Sequence, residues 1–329
     1  PVLFICPARP VLLDRRSGWG KGISAFSSIL RDPLTVDQGR ALVGWYLGGG
    51  PAGLLVERIV DRAEGNPFFI EEVIRSLIDE GAIKRSDSGW EVSGGLDEIE
   101  IPRTVRAVIA ARIDLLESSH KRVLQCAAVI GRTFWPGAVA HLLGGEAGEI
   151  QEVLDALEGR ELILAGAESA VTGEREYRFK HTMVRQVAYD GLARRDRSRL
   201  HRAVADWVRA GGEGERREMI GVEAHHLALA YDGVRGGADG DGDVEGLRTR
   251  ALVALLAAAG FARQRVALGQ SRYFAREARR LADSPIEASL AAEALGEAYF
   301  YGYEGDPAWR ALREAVELRL GEGDGPDPD

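Results

Sequence analysis

The order of apolar and polar positions divides the chain into a front section with strand-like runs and a long remainder with helical spacing. Residues 2–6 form an unbroken apolar run closed by Pro7, Ala8, Arg9 and Pro10. This is the pattern of a buried parallel strand with an arginine at its C-terminal end. Such a strand needs sheet partners, which the pattern places upstream, and residues 26–30 read as a further strand of that sheet. From Pro33 the period changes. Thr35 and Gln38 have capping-box spacing and open a helix that Gly48, Gly49 and Gly50 end. A second helix, 54–63, keeps Leu55, Ile59 and Val60 on one face. Asn66 fits an N-cap and Pro67 the first position of a third helix, running to Gly81. Residues 82–92 read as a hairpin turning at Asp87, Ser88 and Gly89, and 96–101 as a linker. Pro102 reads as the start of a helix with Val105, Ile109 and Ile113 at i, i+4 and i+8.

Beyond Ser118 the spacing gives three short helices, 121–130, 136–143 and 149–158, then strands at 162–165 and 176–179. That order is a winged-helix arrangement. Helices at 181–192 and 199–210 follow. The Gly- and Asp-rich stretch 232–246 reads as a flexible linker. The remainder is Ala-rich and helical. Arg276, Glu277, Ala278 and Leu281 recur at one fixed spacing as Arg313, Glu314, Ala315 and Leu318, and Gly260 and Gly296 stand at nearly the same spacing. Helical hairpins of tetratricopeptide type account for this repeat. The tail, 321–329, reads as disordered.

Composition narrows the function classes. The 329 residues, 45% hydrophobic and 28% charged, are ordinary for a globular protein of two or three domains. The longest apolar run, 251–262, is shorter than the roughly 18 residues of a membrane helix and contains Gly260. The first residues, Pro1 to Cys6, do not read as a signal peptide, and the two cysteines, Cys6 and Cys126, form neither a disulfide framework nor a metal pattern, as expected in a reducing cytoplasm. The net charge of −9 argues against generic nucleic-acid binding. The helices over 136–158 add a row of acids, Glu146, Glu149, Glu152, Asp155 and Glu158, without Lys or Arg, so DNA is an unfavoured partner for this winged helix. Arg194, Arg195, Arg197, Arg199 and Arg202 read as a solvated helix face. Asp239, Asp241 and Asp243 begin like a calcium loop, but Val244 and Arg250 stand where Gly and Glu are needed. His225 and His226, being adjacent, cannot face one metal from a helix, and His226 reads as surface or helix packing.

Four segments carry a resemblance. They are Ala63-Glu-Gly-Asn-Pro-Phe-Phe-Ile-Glu-Glu72, Ile101-Pro-Arg-Thr-Val-Arg-Ala-Val-Ile-Ala-Ala-Arg-Ile-Asp114, Gln125-Cys-Ala-Ala-Val-Ile-Gly-Arg-Thr-Phe134 and Gly173-Glu-Arg-Glu-Tyr-Arg-Phe-Lys-His-Thr-Met-Val-Arg-Gln-Val-Ala-Tyr189. Together they resemble signal-transduction ATPases with numerous domains, the STAND class of AAA-related proteins. Within it they are most similar to large bacterial proteins with an N-terminal class III adenylate/guanylate cyclase domain. The resemblance implies ATP or ADP with magnesium in an intact parent. It makes Arg9 similar to a sensor arginine that reaches the γ-phosphate, and a guanidinium at a strand end suits that role. Gly65, Asn66 and Pro67 look like the family's Gly-x-Pro motif, whose proline packs by the adenine. His181 stands in the place of a histidine that contacts the β-phosphate and holds the closed state, with Thr182 where many relatives have Asp. Each residue also has a plain alternative: a surface arginine, an ordinary helix cap, and a structural histidine capping the helix after the wing.

The absent motifs bear on activity. No Gly-x-x-x-x-Gly-Lys-Ser/Thr loop occurs, and Gly18-Trp-Gly-Lys-Gly22 lacks the following Ser or Thr. No apolar strand ends in paired acids for magnesium. No catalytic residue or metal ligand is assigned, and no cofactor is expected for the chain alone. The fold class is mainly α. The expected units are a P-loop α/β sheet remnant over 1–50, a helical lid over 51–100, a winged helix over 101–212, a helix and linker over 213–249, tetratricopeptide-like repeats over 250–320, and the tail. The expected function is a fragment of a nucleotide-switched regulatory ATPase. Its partners are an upstream P-loop domain, a cyclase domain and a protein bound by the repeats. A LuxR-type transcription regulator or a repeat scaffold are the competing readings.

Overall fold

The computed structural model describes residues 2–8, 11–48, 53–86, 89–93, 99–169, 171, 173–235 and 243–321. It is mainly helical, with small antiparallel sheets. After a short helix, α1 (Val11–Arg15), the N-terminal layer contains α2 (Val36–Leu47), α3 (Gly53–Ala63) and α4 (Pro67–Asp79), then a hairpin of β1 (Ile83–Ser86) and β2 (Gly89–Val92). The capping box of Thr35 and Gln38 forms in both directions, and Gly48 ends α2 in the left-handed conformation. Asn66 caps α4 with Pro67 in its first turn. Local sequence signals therefore set these helix ends.

The strands expected at 2–6 and 26–30 do not form. Val2 to Ile5 are about 80% exposed, and residues 26–30 are unpaired coil. A strand is stable only when neighbours take its backbone N–H and C=O groups, and among the described residues the one backbone bond here is a local turn, Phe26 N–H to the Ile23 carbonyl at 3.2 Å. Among the described residues of 1–50 no strand is present. Arg9 lies outside them. In the hairpin, Gly89 pairs with Ser86 rather than serving as the turn; Asp87 and Ser88 lie outside the described residues.

The next helix, α5 (Val105–Asp114), begins after Thr104, whose side chain caps it, three residues later than Pro102 suggested. The preceding 99–101 stretch is no free linker: Ile99 and Ile101 are buried, and Arg58 donates to the Ile99 carbonyl at 2.6 Å. The chain then runs α6 (Ser118–Ile130), β3 (Thr133–Phe134), α7 (Pro136–Leu143), α8 (Ala147–Gly159), β4 (Ile163–Ala165) and β5 (Tyr177–Phe179). The sheet order is β3-β5-β4, all antiparallel. This is the winged-helix order, completed by β3, a two-residue strand too short for a periodic signal. Tyr177 and Phe179 on the central strand are buried and Arg178 is exposed, the alternation of a half-covered sheet.

Then come α9 (Thr182–Asp190), α10 (Arg194–Ala210), α11 (Glu213–Glu218) and α12 (Ile220–Val234), followed by α13 (Val244–Gln264), α14 (Leu268–Leu281), α15 (Pro285–Phe300) and α16 (Gly305–Leu320). The expected linker 232–246 is helical at both ends; 236–242, with Asp239 and Asp241, lies outside the described residues, and Asp243 caps α13. From α12 onward each helix packs on the next, and α12 also packs on α10. The solenoid therefore begins with α10 and α12, earlier than the repeat pattern indicated. Of the two repeat glycines only Gly296 sits at a close approach, where an added Cβ would lie 2.7 Å from Leu312. Gly260 faces open space. Residues 322–329 lie outside the described set. Among the described residues no helix is long and apolar enough to cross a membrane.

Two helices join separate cores. On α5, Val108 packs into the N-terminal core and Ile109 and Ile113 into the winged-helix core. On α10, Leu200 and Val204 belong to the winged-helix core, and Ala205 to the core of the solenoid. A helix kinks sharply only where its hydrogen-bond ladder is disrupted, so each such helix transmits position between cores.

Arg112, on the buried side of α5 and 1% exposed, reinforces the first junction. Its guanidinium donates to Glu72 at 2.7 Å, to Asp79 at 2.8 Å and to the Arg160 carbonyl at 2.7 Å. At the second junction, Tyr189, His201 and His226 form a buried hydrogen-bonded row with spacings of 2.8 and 2.7 Å, ending on the Ile130 carbonyl at 3.1 Å. Since a carbonyl only accepts, His226 donates from Nε2, His201 donates from Nδ1 to His226, and the Tyr189 hydroxyl donates to His201. This order exists only with both rings neutral. His226 is therefore an internal bonding partner, not the surface or simple packing residue its position suggested.

Replacing Arg112 by Met leaves Glu72 buried without its cation, which costs about 3–5 kcal/mol. Urea unfolding of Arg112→Met should show that loss, with part recovered in Arg112→Met/Glu72→Leu. The histidine row adds a pH dependence. Burial, then His225, Arg185 and Arg197, push His201 down to about 3. Burial likewise pushes His226 well below its ordinary value, opposed by its bond to Ile130. The unfolded chain then binds protons that the native state refuses, so stability is full above about pH 6.5 and falls as pH drops toward 3. One such histidine loses about 1.4 kcal/mol between about pH 7.5 and about pH 5.5. Denaturation at the two pH values should show at least this loss, flattened in His201→Phe/His226→Leu.

Candidate functional site

The turn between α3 and α4 is built around two consecutive left-handed residues, Glu64 with φ 47° and Gly65 with φ 75°. At Gly65 a side chain is also excluded by space: a Cβ would lie 2.5 Å from the Leu34 carbonyl oxygen and 2.7 Å from Pro33. The Leu34 N–H donates to the Gly65 carbonyl at 2.8 Å, which fixes the approach to α2 against the start of α4. The Asn66 side chain accepts from the backbone N–H groups of Phe68 and Phe69 at 3.1 and 3.4 Å. Pro67 is exposed beside them.

Phe68 carries the contact outward. Its ring centroid lies 4.2 Å from that of His181, with the planes at 53°. His181 occupies the N-cap position of α9, but its side chain makes no cap hydrogen bond. Its Nε2 is buried and unbonded among the described residues, with Glu71 as its nearest charged group at 3.9 Å. Burial lowers its pKa, opposed by Glu71 and Glu72, so the ring is neutral near pH 7. Two of the residues singled out from sequence, Gly65 and Pro67, thus flank the helix start whose next residue packs on the third, His181. Arg9 lies outside the described residues.

Sequence reasoning did not find the charges beneath this contact. Lys180 lies between Glu71 and Glu161, 2.5 Å from an oxygen of each. Arg75 pairs with Glu161 and, at 3.4 Å, with Glu71. Burial alone would raise Glu71 and Glu161, yet the two cations outweigh it and hold both carboxyls below their usual range. Glu161 has φ 55°, a left-handed conformation that costs a non-glycine residue about 1 kcal/mol or more, and its ion pairs hold it there. Tyr46 borders the group, its pKa raised by burial and then by Glu71. The single available signal was spacing: Glu71 and Arg75 stand at i and i+4 on α4.

For a nucleotide phosphate the arrangement holds an unbonded nitrogen, Nε2 of His181, which is covered in this state and would have to be uncovered to make a contact. The amides of Phe68 and Phe69 are spent on Asn66, and Lys180 and Arg75 on carboxylates. The residues fit a single phosphate contact and provide no cradle, so no hydrolytic step follows from them. Among the described residues no group of three or more His, Cys, Asp or Glu could hold a metal ion. The basic stretch of α10 is occupied locally: Arg194 donates to the Asp232 carbonyl, Arg197 to the Leu192 carbonyl, and Arg199 pairs with Asp196.

The model of a domain of unknown function (DUF8739) matches residues 52–88, the stretch that contains α3, the Gly65–Pro67 turn, α4 and β1. No curated protein matches the chain. Among solved structures it is similar to the Signal Transduction ATPase with Numerous Domains (STAND) protein with a tetratricopeptide repeat sensor from Pyrococcus horikoshii, at a TM-score of 0.39 and 12% identity. That likeness covers 89% of this chain, which spans 42% of that protein.

The electrostatics around His181 can be measured. Its ring should titrate below 6.5 by NMR, and Glu71→Gln should lower the midpoint further, because Glu71 favours the charged ring. A midpoint that rises in Glu71→Gln contradicts this geometry.

Proposed function

We propose that the chain is the regulatory part of a nucleotide-switched signal-transduction ATPase of STAND type. In this reading α2 to β2 form a lid, the winged helix closes on the nucleotide, and the solenoid presents a surface to a protein partner. The observation that carries the reading is the Phe68–His181 contact with its unbonded Nε2. Two motifs distant in sequence, each implied by resemblance to touch nucleotide, meet where a buried polar atom lacks a partner. Such an atom is costly unless something binds it in another state.

The remaining phosphate contacts belong to a P-loop ATPase domain that works with this chain, with Arg9 as the γ-phosphate sensor, magnesium held by that domain, and a cyclase domain as the effector. Bound ATP or ADP supplies the negative phosphate groups that distinguish the two states. His181 holds a donor toward the β-phosphate when the winged helix is closed, and Gly65 and Pro67 wall the adenine side. Opening would free the winged helix and the repeats together, because α10 belongs to both cores. The compartment proposed is the cytoplasm. α8, which stands where a DNA-reading helix would, exposes Glu149, Glu152 and Asp155, so a lid suits this winged helix better than DNA recognition.

The test is His181→Ala in the protein that contains both this chain and its P-loop domain. A hydrogen bond to a charged group is worth about 1.5–3 kcal/mol. Its loss should speed ADP release roughly ten- to a hundredfold, at about 1.4 kcal/mol per decade. The melting temperature without nucleotide should fall only modestly, by what the lost ring contact with Phe68 is worth, about 0.5–1.5 kcal/mol, because Nε2 itself has no hydrogen-bond partner in this structure. If melting drops while the ADP dissociation rate stays put, the switch role of His181 is wrong.

A further inference from the structure

Where the winged helix meets the solenoid, residues of α6, α9, α10, α12 and α14 line an open cavity of about 370 Å³, in the range of small-molecule sites. Its inner wall includes His201 and His226, which are spent on each other. The rest of its lining is cationic, aromatic or aliphatic, with no carboxylate. Arg185 of α9 donates through Nε to the Ala128 carbonyl at 2.9 Å and lies 5.9 Å over the Tyr189 ring. Its two terminal nitrogens have no hydrogen-bond partner among the described residues, and no carboxylate pairs with it. Burial pushes its pKa down, opposed only by Tyr189. Arg132, exposed at the mouth, also lacks an ion pair among the described residues. Tyr273 and Phe274 of α14 form the facing wall, and Phe274 approaches so closely that a Cβ on Gly221 would lie 3.0 Å from its ring. The acid nearest this wall, Glu277, is held by Arg280 at 2.8 Å and does not line the cavity.

A half-buried guanidinium commonly has a carboxylate beside it, because partial withdrawal of a charge from water is costly without a counter-ion. Here the place next to Arg185 is open space, backed by aromatic rings. We infer that this cavity binds a small organic oxyanion with an aromatic body, its charged end on Arg185 and Arg132 and its body against Tyr273 and Phe274. Planar guanidinium forks suit such oxyanions, and the rings take an apolar body out of water. The site uses none of the residues around His181 and stands apart from the nucleotide reading. An occupant would touch α9 of the winged helix and α14 of the solenoid together, which makes it an effector that sets how the two are held, not a substrate.

Phenyl phosphate, which carries both features, is the probe, titrated into the full chain by calorimetry with the Tyr273 and His225 ring signals followed by NMR. One saturable site is expected, at least tenfold weaker in Arg185→Gln and partly restored in Arg185→Lys, with circular dichroism confirming that each variant is folded. Inorganic phosphate should bind at least tenfold more weakly than phenyl phosphate, and His181→Ala should leave binding unchanged. No saturable binding at millimolar probe, or binding that Arg185→Gln leaves intact, overturns the inference. Equal binding of inorganic phosphate overturns the aromatic half of it. An effect of His181→Ala equal to that of Arg185→Gln would mean the ligand sits at the other site.

Discussion

Arg112 carries a permanent charge where water is excluded, and its bonds end on Glu72 and Asp79 of α4 and on the carbonyl of Arg160 after α8. A guanidinium that far inside is tolerated only if its directions are all met, and meeting them fixes three segments at once. The N-terminal layer and the winged helix are therefore not free to rotate about α5. Their relative position is set by a charge that has nowhere else to go. The same device recurs in the solenoid, where the buried Arg248 of α13 bonds the Leu281 carbonyl and Glu287.

That constraint is what places the candidate site. With α4 locked against α5 and the end of α8, the first turn of α4 meets the start of α9, and Phe68 reaches His181. The alternating charges of Glu71, Lys180, Glu161 and Arg75 then seal the underside of the contact. The cations are committed to carboxylates, which leaves the imidazole Nε2 open, with one buried oxygen of Glu72 also unbonded nearby. A single open imidazole nitrogen at a junction between units suits a sensing role better than catalysis, which needs several groups converging on one reacting atom.

The second junction has the opposite character. Tyr189, His201 and His226 satisfy one another in a neutral row, whereas Arg185 beside them is left without a counter-ion. One junction is thus held by paired charges with a neutral atom open. The other is held by neutral bonds with a charge open. Since α10 takes part in both the winged-helix core and the solenoid core, a change at either junction has a rigid path to the other.

The sequence by itself determined what is local. The capping box at Thr35, the Asn66-Pro67 start of α4, the Pro136 start of α7 and the alternation of Tyr177 and Phe179 were legible because their physics spans a few residues. Gly65 and His181 stood out by motif. Their proximity did not, since it depends on the docking of α4 against α9. Arg112 sits between Ile109 and Ile113 on the apolar stripe of α5, a readable sign of a buried charge, yet Asp79 and the Arg160 carbonyl cannot be named from spacing. The strands expected at 2–6 and 26–30 show the converse: an apolar run has strand propensity, but a strand exists only when another backbone takes its hydrogen bonds. Tertiary structure alone decided which far-apart side chains share a low-dielectric space, and hence which charges are paired, which histidines stay neutral and which polar atoms are left open.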